Sequence, residues 1–166
     1  MITIRKGATG RRPCRPRRPA PVSEALAVQI GLAGISSSHI IDAHHAIVIM
    51  SAELAAHHAT PEDITLLDSL ISEALSAGRE HWGDTMHGIN LALARASKNP
   101  ALAAQMEGFM EFLRPYYQRL GQSINVETVV RRYRAMLDAV RRGDAIAAFT
   151  TMYEHLRRIR ELQATS

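Results

Sequence analysis

Apolar residues recurring every three or four positions, helix-start chemistry at nearly every break, and the absence of strand-like alternation after about residue 23 predict an all-α fold. Breaks of only a few residues make consecutive helices antiparallel neighbours, so the expected architecture is an antiparallel bundle of six or seven helices.

Ser23 caps a short helix through Gly31, and one of Ser36, Ser37 and Ser38 caps a longer one running to about His58. Thr60-Pro61-Glu62-Asp63 starts the next: the Thr60 side chain accepts from a free amide, Pro61 suits the first helical position, and the acids complement the positive helix end. Its buried stripe is Ile64, Leu67, Ile71 and Leu75, widened by Leu66 and Leu70, with Gly78 as a left-handed cap. A helix over about 79–98 follows, with Trp82, Met86, Ile89 and Leu93 inward, and stops at Asn99-Pro100 because the residue before a proline is pushed out of helical geometry.

Asn99 then caps a helix carrying Leu102, Met106, Phe109, Met110, Leu113, Tyr117 and Leu120. Pro115 removes a backbone donor inside it and is expected to kink it, and Gly121 to end it. Ser123 or Asn125 opens a helix with Val126, Val129, Val130, Tyr133, Met136, Leu137 and Val140. Gly143-Asp144 is a stop followed by a start, and the last helix is expected to bury Ile146, Phe149, Met152, Tyr153, Leu156 and Ile159.

The 166 residues suit one domain with a real core, residues 23–166, behind a distinct arm, residues 1–22. The first 20 residues hold seven basic and no acidic side chains, whereas the remainder has 13 basic against 16 acidic. A mildly acidic body is a poor match for a phosphate backbone, and a basic Arg/Pro-rich arm adds only salt-sensitive, sequence-independent attraction. No apolar run approaches the roughly 18 residues of a membrane span, and the arm has no apolar signal core. With a single cysteine, Cys14, unable to form an internal disulfide, the expected location is cytoplasmic.

Three segments taken in order carry a resemblance: Ala-Glu-Leu-Ala-Ala-His-His-Ala-Thr at 52–60, Ala-Leu-Ala-Arg-Ala-Ser-Lys-Asn-Pro at 92–100, and the stretch 134–156 spanning Met136, Gly143-Asp144 and His155. Over about residues 23–163 the chain resembles the FCD domain, the C-terminal effector-binding bundle of FadR-type GntR transcriptional regulators. In that family a winged-helix DNA-binding domain precedes the bundle. Thr3-Ile4-Arg5-Lys6-Gly7-Ala8-Thr9-Gly10 resembles its wing, which implies a chain that keeps the sensor and lacks most of the DNA reader.

The resemblance also implies positions for a site. Many members hold a metal with one Asp and three His, and these fall on Met86, Asn90, Tyr133 and His155, so only His155 is retained. One imidazole with an amide, a phenol and a thioether is a poor donor set for zinc or nickel, and no cofactor is expected. The family's effector-contacting Arg and its Glu partner fall on His44 and Val48. His44, Met86, Asn90, Tyr133 and His155 are nonetheless expected to face the bundle centre, Met86 and Asn90 being four apart on one helix face. Two arrangements satisfy these residues: a pocket for a small polar ligand, or a filled core in which Asn90 and His155 bond each other or water.

Other residues have plainer readings. His57, His58 and His81 belong to solvated helix ends, Arg157, Arg158 and Arg160 to an exposed face, and Met106, Phe109, Met110, Met136 and Met152 to the core. No phosphate loop, nucleophile elbow or His-Glu-x-x-His pair argues for an enzyme. The expectation is therefore a ligand-sensing and dimerisation domain of a GntR-type regulator that binds a small-molecule metabolite, pairs as a homodimer, touches no membrane, and reaches DNA only through a winged-helix domain. The alternatives are a helical metal-binding protein or small metal-dependent hydrolase using Asp84, His87 and His155, and a purely structural dimerisation bundle.

Overall fold

Helix ends are set by a few capping side chains, and these give the element order. The computed structural model describes residues 22–164, so the basic arm, the wing-like segment and Cys14 lie outside the described residues. Seven α-helices run through the described part: α1 Val22–Leu32, α2 Ser37–His58, α3 Pro61–Glu73, α4 Trp82–Ala96, α5 Pro100–Ser123, α6 Val126–Arg141 and α7 Ala145–Ala164, with one tighter helical turn, Arg79–His81, before α4.

The caps follow their chemistry. At the start of α2 the His39 amide donates to Ser36 Oγ. At α3 the Asp63 amide donates to Thr60 Oγ1 at 3.3 Å and the Thr60 amide returns a bond to Asp63 Oδ2 at 2.8 Å, a reciprocal pair that satisfies two free donors. Lys98 forms an ion pair with the same carboxylate. Asn99, Asn125 and Asp144 accept first-turn amides of α5, α6 and α7.

Four boundary expectations are corrected. α1 begins at Val22, which puts Ser23 inside its first turn. α3 ends at Glu73, and Gly78, at φ 74° and ψ 156°, opens the Arg79–His81 turn instead of closing α3. Lys98 takes the left-handed geometry between α4 and α5, at φ 54°. Gly121 does not end α5, which continues through Pro115 to Ser123.

Gly121 serves a different purpose. A Cβ built there lies 2.8 Å from the Trp82 side chain, so the missing methyl lets α5 close on the indole that starts α4. Arg79 seals the same corner, its Nη1 donating to the Gly121 carbonyl at 2.6 Å and the Gln122 carbonyl at 3.1 Å, which takes up acceptors that a helix end leaves open.

α2 is the central rod: it packs against α4, α5, α6 and α7, while α3 packs on α4 and α6, and α1 on α5. Consecutive helices are thus neighbours in the α3–α4, α4–α5 and α6–α7 pairs, whereas α1 rests on α5, and α3 packs on α6 as well as on α4. α7 meets α2 and α6 through Ala148, Met152, His155, Leu156 and Ile159. Ile146, Phe149 and Tyr153, expected inside, are 81%, 37% and 49% exposed because they lie on the neighbouring face of α7, which no described helix covers. Leu66 and Leu75 of the α3 region are likewise exposed.

Gly121→Ala is expected to lower unfolding stability by about 1–3 kcal/mol through overpacking against Trp82. Gly88→Ala, where an added Cβ meets nothing within 4 Å, is expected to be neutral or stabilising by up to about 1 kcal/mol. Urea denaturation of both variants checks this; equal effects would contradict the close approach.

Candidate ligand site in the bundle interior

Five helices each send a polar group into the space between α2 and the α4–α7 layer: His44 from α2, Asn90 from α4, Tyr117 from α5, Tyr133 from α6 and His155 from α7. All are buried, as is Met86, one turn before Asn90. The five residues read from the sequence, His44, Met86, Asn90, Tyr133 and His155, therefore all lie inside.

Four polar groups form a chain. The Tyr133 hydroxyl donates to Asn90 Oδ1 at 2.8 Å. Asn90 Nδ2 donates to the Tyr117 hydroxyl oxygen at 3.3 Å. The Tyr117 hydroxyl also lies 3.3 Å from His44 Nδ1 and 3.4 Å from Nε2, a contact whose donor follows from the imidazole tautomer. The Tyr133 and Asn90 donors face the same direction, and the chain ends on a neutral imidazole. At the other end the His155 ring stands edge-on to Tyr133, with centroids 5.5 Å apart.

Asn90 thus bonds two tyrosines, not His155, which revises one of the filled-core pairings expected above. Met86, Tyr133 and His155 share the wall of an interior void of about 10 Å³, room for about one water. Tyr117 and His45 are the residues that sequence reasoning missed. Tyr117 sits in an apolar stripe and reads as core, and His45 follows a histidine already assigned; both are buried.

Burial dominates the electrostatics. His44 is lowered to about 3, first by desolvation and then by repulsion from His45 and His87. His45 is lowered to about 4 by desolvation and the Arg160 charge, opposed by Asp42. His155 is lowered to about 4 by desolvation, then by Arg132 and His45. The Tyr117 and Tyr133 hydroxyls are pushed up by the same desolvation, so both stay protonated.

The triad Asp84, His87 and His155 is not brought together. Asp84 is exposed and paired with Arg114 of α5 at 2.5 Å. His87 is half-buried, on the α4 side that feels Arg114 and Glu107, and its Nδ1 has no partner. Among the described residues no three His, Cys, Asp or Glu side chains gather where they can hold a metal ion. The cause is geometric: Asp84 and His87 face α5, whereas His155 approaches α4 from α7 beside Met86.

A family model described as the FCD domain matches residues 39–158. The chain belongs to the FCD domain family. It is 29% identical over 125 residues, 72% of its length, to the Escherichia coli (strain K12) protein named "Putative L-lactate dehydrogenase operon regulatory protein", of which it covers 48%. It is 23% identical over 141 residues, 83% of its length, to the Bacillus subtilis (strain 168) "Uncharacterized HTH-type transcriptional regulator YcbG", of which it covers 59%. The chain spans about half the length of these curated relatives. Among solved structures, Streptococcus agalactiae GntR superposes with a TM-score of 0.63 at 19% identity, covering 84% of this chain and 60% of that one. The fold is that of an FCD bundle.

The metal that many FCD domains carry does not fit here. At the matching positions Met86 offers a thioether, Tyr133 a phenol held protonated, and Asn90 an amide whose oxygen and nitrogen are both engaged. His155 alone remains as a conventional ligand. Among the described residues no helix of this FCD domain is long and apolar enough to cross a membrane.

With folded-state values below the ordinary 6.5, His44, His45 and His155 leave the unfolded chain holding more protons between about pH 4 and 6.5. Their neutral burial is fully compatible with folding above pH 6.5, and stability falls as pH drops below it, by up to about 1.4 kcal/mol per pH unit per histidine. Denaturation midpoints at pH 7.5, 6.0 and 5.0 are expected to descend in that order; a flat profile would contradict neutral burial.

Proposed function

We propose that this FCD domain is the ligand-sensing and dimerisation part of a GntR-type, cytoplasmic transcriptional regulator, acting by binding rather than catalysis. A small metabolite engages the interior set His44, Met86, Asn90, Tyr133 and His155, and a second copy of the chain pairs with it. DNA contact then belongs to a winged-helix partner domain.

The observation that carries the reading is the connected polar chain Tyr133–Asn90–Tyr117–His44 in a largely apolar interior. A core that needs only to fold avoids such groups, because each left unpaired costs about 1–3 kcal/mol. The interior void admits about one water, so a metabolite enters only as Met86 and its neighbours yield. Binding then favours one packing of the helices over another, which is the differential affinity a sensor requires.

Pairing is supported by α7. Ile146, Phe149 and Tyr153 follow one another at steps of three and four on an exposed face, and the Phe149 and Tyr153 rings stack with centroids 6.2 Å apart. Arg160 joins Asp42 of α2 at 2.5 Å, so the end of α7 lies against the start of α2, whose Met50 is also exposed.

A thermal-shift screen of small metabolites on the 166-residue chain is expected to find compounds that raise Tm by about 5–10 °C near 100 times Kd, with the shift lost in Asn90→Leu. No active compound, or a shift indifferent to Asn90, would contradict the sensing role. Sedimentation velocity is expected to show a dimer that Phe149→Glu converts to monomer.

A further inference from the structure

Trp82, the one tryptophan of the chain, is the first residue of α4. It is 1% exposed, and its Nε1 meets no hydrogen-bond acceptor among the described residues. An indole N–H only donates and is fixed in the ring plane, so it cannot rotate toward a partner as a hydroxyl does. A donor left unpaired in the interior is costly and rare.

The surroundings of Trp82 give this donor a use. The residue lines a cleft of about 190 Å³ just past the end of α3 and beside the start of α6, together with Ala74, Leu75, Arg79, Val126 and Glu127. That is room for several waters or one small organic molecule. Nε1 adjoins Cδ1 in the ring, and Cδ1 is among the indole atoms 2.8 Å from a Cβ built at Gly121. Arg79 Nη1 donates to the Gly121 carbonyl at 2.6 Å. The indole N–H edge and the guanidinium therefore share the corner where the cleft meets α5. Gln118 holds that corner in place: its Nε2 donates to the carbonyls of Arg79 at 3.3 Å and Glu80 at 2.6 Å, and its Oε1 accepts from the Gly83 amide at 3.4 Å. Such fixing lowers the cost of binding.

The charges narrow the ligand. Arg79 and Glu127 in one cleft cancel, so a free anion meets Glu127 and a free cation meets Arg79. Arg79 Nη1 is already committed to two main-chain carbonyls. Ala74, Leu75 and Val126 make the remaining wall apolar, which penalises bringing in a full charge. We propose that this cleft binds a small neutral carboxamide, its carbonyl oxygen accepting from Trp82 Nε1, its N–H donating to the Glu127 carboxylate, and its apolar part lying on Leu75 and Val126. The cleft shares no residue with the set His44, Met86, Asn90, Tyr133 and His155, so the proposal is independent of the sensing role.

One indole gives one side-chain N–H signal in the proton–nitrogen NMR spectrum of the full chain, and titration with isobutyramide reads it directly. The charged analogues isobutyrate, isopropylammonium and valine are the comparison. Isobutyramide is expected to move the indole signal and to bind at least about tenfold more tightly than each charged analogue, with Glu127→Ala weakening it by about tenfold. Glu127 is exposed, so this variant reports on binding and not on folding. An indole signal that stays in place, or a charged analogue that binds as tightly as the amide, would overturn the proposal. So would an indole shift indifferent to Glu127→Ala, which would put the amide in the interior void that Trp82 also walls.

Discussion

One side-chain amide holds the interior together. Asn90 is fully buried on α4, accepts from Tyr133 of α6 and donates to Tyr117 of α5, which reaches His44 of α2. Four helices are thereby joined through groups that have no water to fall back on. Their rotations about their own axes follow: turning α4 by one residue would swing Asn90 away from both hydroxyls and leave them unpaired. The same rotation places Met86, four residues earlier, against Tyr133 and His155.

This interior is polar without being charged. Desolvation keeps His44, His45 and His155 neutral and both tyrosines protonated. A metal-holding interior of the family pattern would instead bring a carboxylate and three imidazoles to one point. Here thioether, amide and phenol occupy those places and pack nearly to contact, leaving about 10 Å³. A wider groove of about 650 Å³ lies between α6 and α7, and Ile124, Val129, His155 and Ile159 line both it and the void.

Much of the fold was legible because the signals are local. Thr60, Asn99, Asn125 and Asp144 each cap a helix with amides two or three residues away, so chemistry and partner sit in one short window. The inward placement of Met86 and Asn90 follows from four-residue spacing once one of them is known to be inside. Tyr117 was not legible as a site residue, since its partners lie 27 and 73 positions away. Gly121 misled because glycine marks both a helix stop and a close approach, and only the position of Trp82 decides between them. On α7 the periodicity shows two apolar stripes, Ile146–Phe149–Tyr153 and Met152–Leu156–Ile159, but the neighbours that cover one of them come from α2 and α6.

The central claim is that the buried polar groups act as one connected chain. A double-mutant cycle with Tyr117→Phe and Tyr133→Phe measures it most directly, because both hydroxyls bond the one Asn90 amide. The account predicts a coupling of about 0.5–3 kcal/mol in unfolding stability, whereas effects that add to within about 0.3–0.5 kcal/mol would contradict it.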